Sequence, residues 1–330
     1  MNYYLVESPL QFLNAREAKY RFCKDEKNVL IILRGASQKS MDQLKKLVDY
    51  SSWDTVYELP NTHKKVVLYK WQYDLESILK ENYQKVNKVF IGEYRSLLMR
   101  NFVHKSNCEQ SFLLDDGNVA LFIHEKIITK EGLRHTLHPI RKALNWLFNF
   151  NDKDIWDINF FTFYNEWTRD SDVINDYSLL KSSLNTRIVD EGLVYFLGNN
   201  ISEYGFIERK DYLSLLRKVI ECFEGKTVYY LPHRREEPEG FQEIEDLGFQ
   251  IKTIDEPIET YLVKQNKLPE IIASFLSTAL DNCYALFSDH SVLYSFQYDL
   301  DILKSDRYKK TAKIIFNRYK KYEGFKTIEI

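Results

Sequence analysis

Cysteine is scarce. Cys23, Cys108, Cys222 and Cys283 are the only four in 330 residues, and they lie far apart with neither metal-ligand nor redox spacing. That excludes a disulfide framework and predicts free, mostly buried thiols in a reducing cytosol. No uninterrupted apolar run is long enough to span a bilayer. The opening Met1–Glu7 lacks a basic leader and runs straight into a strand pattern, so no signal peptide is expected. An excess of either charge is also missing: the formal net charge of −2 excludes a globally basic nucleic-acid binder. Internal repeats and low-complexity tracts are absent too. What is present is ordinary for a soluble globular protein, with 44% hydrophobic and 28% charged residues and a length that suits two domains. Aromatics reach 15%, including 23 Tyr and 21 Phe. Most of these must fill cores, although such rings also stack on sugars.

Short apolar runs alternate with amphipathic segments along the first third. Strands are expected at Tyr3–Val6, Asn28–Leu33, Thr55–Leu59, Lys88–Ile91 and Ser111–Leu114. Helices are expected at Pro9–Phe22, opened by Ser8 with proline in its first turn, at Lys39–Tyr50 and at Trp71–Asn82. A second series starts near Gly192, with strands at Leu193–Leu197, Thr227–Leu231, Phe249–Ile254, Ile271–Phe275 and Tyr284–Phe287, and helices at Asp211–Phe223 and Ile258–Gln265. Strands alternating with helices predict an α/β fold with mainly parallel sheets. The aromatic, polar stretch Asn149–Asn185 reads as the interdomain region. The expected domains are 1–185, 186–305 and a basic amphipathic helix over 306–330. In that helix Tyr308, Ala312, Ile315, Tyr319 and Tyr322 form one stripe, while Lys309, Lys310, Lys313, Arg318, Lys320 and Lys321 cover the rest. It fits either docking across the domain junction or attachment to an anionic membrane surface.

In open α/β sheets ligands bind beyond the carboxyl ends of strands, so the residues just after strands matter most. Asp115-Asp116-Gly117 follows Ser111–Leu114. Adjacent, partly buried acids hold protons more tightly, which suits a general base; a solvated Asp-Gly turn fits the same residues. His233-Arg234-Arg235 follows Thr227–Leu231. It offers a cationic mouth for a phosphate, or a surface loop paired with Glu236, Glu237 and Glu239. Ser277-Thr278 precedes a short helical start, as a phosphate seat or a plain helix cap. His138-Pro139 has no strand before it and is a decoy.

A carboxylate pair, then a histidine, then a serine–threonine pair, in that order, resembles the bacterial sialyltransferases of the GT-B type. Within them the lipooligosaccharide sialyltransferase and capsule polysialyltransferase group (glycosyltransferase family 52 and relatives) is the most similar. Glu7-Ser8-Pro9-Leu10-Gln11 with Asn14, and Leu197-Gly198-Asn199-Asn200-Ile201-Ser202-Glu203, are similar to that group as well. The histidine is followed by Arg234 where the group has proline, and Thr278 stands where it has a second serine.

The resemblance implies two Rossmann-like domains with parallel sheets facing a central cleft, and a C-terminal helix returning across the junction. It implies Asp115 as general base supported by Asp116, and His233 as general acid or stabiliser of the leaving CMP phosphate. Ser277, Thr278 and Arg234 would bind the phosphate, Gly198, Asn199 and Ser202 would lie near the nucleotide, and Glu7, Ser8, Pro9 and Gln11 would face the acceptor. The expected reaction is inverting transfer of sialic acid or a related nonulosonate from a CMP-sugar to a cell-surface glycan, with no metal or other cofactor. Expected partners are that donor and glycan but no nucleic acid, with peripheral association with the inner membrane and a homodimer as further expectations for a cytoplasmic protein. Two alternatives stand beside it: a UDP-hexose or CMP-Kdo transferase on the same scaffold, and a non-catalytic glycan-binding assembly component.

Overall fold

The computed structural model describes residues 1–33, 37–59, 67–81, 85–117, 119–132, 139–184 and 188–330, and at 67, 68 and 141 the backbone alone. Two compact units emerge, Met1–Leu179 and Leu180–Ile330. The boundary expected at 185, the end of the predicted interdomain stretch there, and the Asn82 end of a predicted helix lie outside the described residues.

Unit 1 runs β1 (Asn2–Val6), α1 (Pro9–Phe22), β2 (Asn28–Ile32), α2 (Gln38–Leu47), β3 (Thr55–Glu58), α3 (Val67–Glu81), β4 (Lys88–Ile91), α4 (Leu97–Ser106), β5 (Gln110–Leu114), α5 (Val119–Ile128), α6 (Pro139–Leu147), β6 (Asn159–Thr162) and β7 (Val173–Ile174). The short α7 (Ser178–Ser182) straddles the boundary. The strands form one parallel sheet in the order β3-β2-β1-β4-β5-β6-β7. Every residue of β1 and β2 is buried, the signature of strands covered on both faces. Because side chains alternate, Tyr3, Leu5, Val29, Ile31, Val89 and Ile91 enter one core, and Tyr4, Val6, Leu30, Ile32 and Phe90 enter the other. The helix after β1 begins as the sequence predicts. Ser8 accepts a hydrogen bond from the Gln11 N–H (3.3 Å), Pro9 holds the first turn, and Lys19 and Arg21 sit at the negative end of the helix dipole.

Unit 2 runs β8 (Val189–Leu197), α8 (Arg209–Glu221), β9 (Thr227–Leu231), α9 (Phe241–Glu245), β10 (Gln250–Ile251), α10 (Ile258–Val263), β11 (Leu268–Ser274), α11 (Thr278–Phe287), β12 (Val292–Gln297), α12 (Asp306–Tyr319) and β13 (Lys326–Glu329). Its parallel sheet has the order β10-β9-β8-β11-β12-β13. Counted from each unit's own start, both sheets read third-second-first-fourth-fifth-sixth, and the first sheet adds a seventh strand at that end. The order reverses between β1 and β4 in one sheet and between β8 and β11 in the other, and such reversals open the crevices that bind ligands.

Three expectations fail locally. Tyr284–Phe287 belongs to helix α11, not to a strand; Leu280, Cys283, Leu286 and Phe287 bury one helical face, and a four-residue apolar window cannot separate the two periods. The 149–185 stretch is not only a connection, since β6 and β7 complete the first sheet there. The 306–330 segment is a helix only as far as Tyr319; Gly324 turns the chain at φ +71°, and Lys326–Glu329 pairs with β12 as an added strand. Arg318, expected on the solvated face of that helix, is buried.

Candidate active site

In unit 1 the ends of β1, β4 and β5 gather carboxylates. Glu7 follows β1, Glu93 follows β4, and Asp115 and Asp116 follow β5. Gln11 lies under this edge, its Oε1 accepting from the Glu7 N–H at 2.8 Å. Its side chain also crosses Gly92 so closely that a Cβ there would collide with it. Arg95 clamps Glu93 through its backbone N–H (2.7 Å) and its guanidinium (Nε–Oε1 2.8 Å), and lies 3.8 Å from the Asp116 carboxylate. The Ser8 hydroxyl reaches Asp116 at 3.5 Å. Burial, with Glu93 and Asp116 adding and Arg95 opposing, pushes Glu7 up to about 7, so it titrates near neutrality.

The two aspartates are not equivalent. Asp115 is 3% exposed, and its Oδ2 accepts from the Phe163 N–H at 2.7 Å just beyond β6. Its carbonyl accepts from Asn14 Nδ2 (3.0 Å), and Asn14 is held in turn by Asn175 (2.9 Å). Asp116 remains partly open, its side chain 28% exposed, and Gly117 takes the positive φ (+71°) that turns the chain away.

In unit 2 the ends of β8, β9 and β11 carry the opposite chemistry. Gly198 and Asn199 follow β8; the Gly198 N–H donates to the Leu231 carbonyl at 2.8 Å, and the Asn199 amide donates to the Leu276 carbonyl. Ser202 lies one turn on, its carbonyl accepting from the Gly205 N–H (2.9 Å). His233 Nδ1 accepts from the Arg235 N–H at 3.3 Å, so the neutral ring carries its proton on Nε2 and can donate it. Arg234 is exposed beside it. Ser277 occupies the N-cap of α11 without a capping bond from its side chain, and Thr278 opens the helix. Behind this edge Arg318 Nη2 contacts both oxygens of buried Asp281 (2.9 Å each), and Tyr319 donates to the Ser277 carbonyl (3.0 Å).

Within unit 1, therefore, Glu7, Ser8 and Asp116 come together, while Pro9 and Gln11 are buried props of the same edge. Within unit 2, Gly198, Asn199, His233 and Ser277 come together through their loops. Sequence reading missed Glu93 and Arg95, which the strand-end rule applied to β4 finds, and Glu236, which accepts from the His233 N–H. His138 lies outside the described residues. Cys23 and Cys283 are buried, Cys108 is half-buried and Cys222 exposed, all as free thiols. Among the described residues no cluster of three or more His, Cys, Asp or Glu side chains is placed to hold a metal ion, and no helix is long and apolar enough to cross a membrane.

This geometry can be compared with known proteins. A family model described as alpha-2,8-polysialyltransferase matches residues 2–295. The chain belongs to the alpha-2,8-polysialyltransferase family. It is a glycosyltransferase of sialyltransferase type. No curated protein matches it in sequence. Among solved structures, an alpha/beta-galactoside alpha-2,3-sialyltransferase from the luminous marine bacterium Photobacterium phosphoreum is similar, with a TM-score of 0.55 at 11% identity over 99% of this chain and 97% of that one. Arabidopsis thaliana UGT89C1 complexed with UDP-L-rhamnose gives a TM-score of 0.50 at 8% identity over 100% and 85% of the two chains. At such identities the likeness concerns the fold, and both parallel-sheet units are those of the GT-B class.

Proposed function

We propose that this polysialyltransferase-family protein moves sialic acid from a CMP-activated donor to a hydroxyl of a cell-surface glycan, in one inverting displacement that needs no metal. One observation carries the reading: the two strand-end sets divide the charge. Glu7, Glu93 and Asp116 make unit 1 the side for a neutral hydroxyl that must lose a proton. His233, Arg234, Ser277 and the N-terminus of α11 make unit 2 the side for a phosphate that must leave.

The base belongs to the Asp115–Asp116 pair. Asp115 keeps the role that the family resemblance implies, and the Phe163 N–H orients its carboxylate in advance. A base must come within hydrogen-bond reach of its proton, so acceptor binding has to uncover Asp115, whereas Asp116 is already open and supports it. His233 donates from Nε2 to the departing phosphate, and Ser277 and Thr278 hold that phosphate, with Gly198, Asn199 and Ser202 at the nucleotide. Membrane association, if peripheral, is better served by α6 than by the tail. Ile140, Trp146 and Leu147 are 65%, 83% and 65% exposed, whereas Ala312, Ile315 and Tyr319 of the tail stripe are buried.

Transfer from CMP-sialic acid to a sialylated oligosaccharide, assayed after exhaustive chelation and with the product's anomeric configuration determined, tests this reading. The expected result is full activity with inversion. Transfer only from a UDP-sugar or CMP-Kdo, or activity restored only by a divalent ion, overturns it.

A further inference from the structure

We propose that Glu236 is the positioning residue of the donor-phosphate site, tying the His233 loop to the Gly198–Asn199 loop through two tyrosines. This rests on the assignment of those loops to the donor. Glu236 lies on the His233 loop and is 7% exposed. Its Oε1 accepts from the His233 N–H at 2.6 Å and its Oε2 from the Tyr230 hydroxyl at 2.6 Å. Tyr230, near the end of β9, meets Tyr212 of α8 at 2.8 Å, and the Tyr212 oxygen accepts from the Asn199 N–H at 3.1 Å. Protons thus run in one direction, from Asn199 N–H to Tyr212, to Tyr230, to Glu236. Both loops end on one carboxylate. Gly198 completes the fit, since a Cβ there would stand 2.5 Å from Glu236 Oε1 and 2.7 Å from the Tyr230 oxygen.

Each oxygen of Glu236 faces a donor, the arrangement that suits an ionised carboxylate; a proton on Oε2 would turn the Tyr230 hydroxyl from donor to acceptor and reverse the chain of bonds. The groups facing it are Tyr230 of β9, Tyr212 and Arg209 of α8, Glu203 of the loop after β8, and His233 of its own loop. Arg209 is itself shared between Glu203 (3.7 Å) and Glu243 (2.9 Å). Burial pushes Glu236 up to about 7, Tyr230 and the His233 N–H opposing, Glu203 adding and Arg209 opposing. Acidification below that point protonates Glu236 and weakens the tie between the two loops.

Glu236→Gln and Tyr230→Phe are to be titrated calorimetrically with CMP, UDP and ADP at pH 8, beside donor kinetics from pH 5.5 to 8.5. The kinetic arm uses CMP-sialic acid, a phosphodiester whose phosphate does not titrate in that range. E236Q is expected to bind CMP at least tenfold more weakly and Y230F severalfold more weakly. Wild-type KM for the donor should rise below pH 7, while that of E236Q stays high and flat. Binding of CMP by E236Q within twofold of wild type overturns the proposal, and so does a wild-type donor KM that is flat or falls on acidification. If E236Q does not fold, Y230F decides by the same criterion. A wild type that prefers UDP or ADP overturns the donor assignment alone, and its ratio to E236Q for that nucleotide still judges Glu236. A wild type that binds none of the three overturns both.

Discussion

The two units solve one problem with one strand order and different materials. In unit 1 the edge is braced mostly by neutral groups, with one half-exposed cation, Arg95, at its rim: Asp115 is fixed by a backbone N–H and by Asn14 and Asn175, and Gln11 braces the Glu7 loop. In unit 2 the edge rests on buried charge: Glu236 ties two loops, and the Asp281–Arg318 pair lies beneath the Ser277 turn. Neutral braces suit an edge that already concentrates carboxylates, because one more buried acid would raise the proton affinity of the rest. Buried charges suit an edge that must meet an anion, provided each is matched. The difference teaches that shared topology fixes where chemistry can sit, while the hidden layer fixes its sign.

The largest expected effect breaks unit 2's hidden layer. Burial pushes Asp281 up to about 6, against Arg318 and the tyrosines that pull it down, so at neutral pH it stays ionised opposite the guanidinium. Arg318→Met leaves that carboxylate buried without its cation, at a cost of about 3–5 kcal/mol. A melting midpoint lower by roughly 10 °C is expected. Pairing it with Asp281→Leu should restore most of the loss, because an apolar pair avoids the desolvation. Equal instability of the single and double variants would show that the charge pair is not what supports the Ser277 turn.

The next effect tests the carboxylate edge of unit 1. Asp115→Asn should lower kcat by about a hundredfold or more, the range for a positioned base, and Asp116→Asn by roughly tenfold, with melting within a few degrees for both. Single-turnover rates check this. A larger loss in D116N than in D115N would exchange the two roles.

Much of this was legible in the residues themselves. The two strand-helix series, the Ser8–Pro9 helix start and the strand-end positions of Asp115, His233 and Ser277 follow from period, capping and turn chemistry, all of them local. What escaped was non-local or ambiguous. Tyr284–Phe287 carries too few residues to distinguish the periods of helix and strand. Glu236 reads as one more acid in a Glu-rich loop, and only Tyr212, from another element, reveals it as a tie. The basic stripe hid Arg318, because a cation's partner 37 residues away leaves no mark on helical spacing.

The smallest effect concerns a residue that obeys neither pattern. His124 in α5 is fully buried and stacked on Phe160 of β6 with ring centroids 3.9 Å apart. Neither ring nitrogen finds a hydrogen-bond partner among the described residues. Burial pulls its pKa down to about 3, with Asp172 opposing and Arg169 adding. Between that value and its ordinary value near 6.5 the unfolded chain therefore binds a proton that the folded chain refuses. By linkage, stability is complete above about pH 6.5 and is lost as the pH falls from there toward 3. His124→Phe keeps the stack and removes both unsatisfied nitrogens. It should add about 1 kcal/mol at pH 7, and more as the pH falls, since the acid-side loss goes with the imidazole. Urea midpoints at pH 7 and pH 5 measure this, and a gain that does not grow between them would mean that His124 is not a buried neutral base.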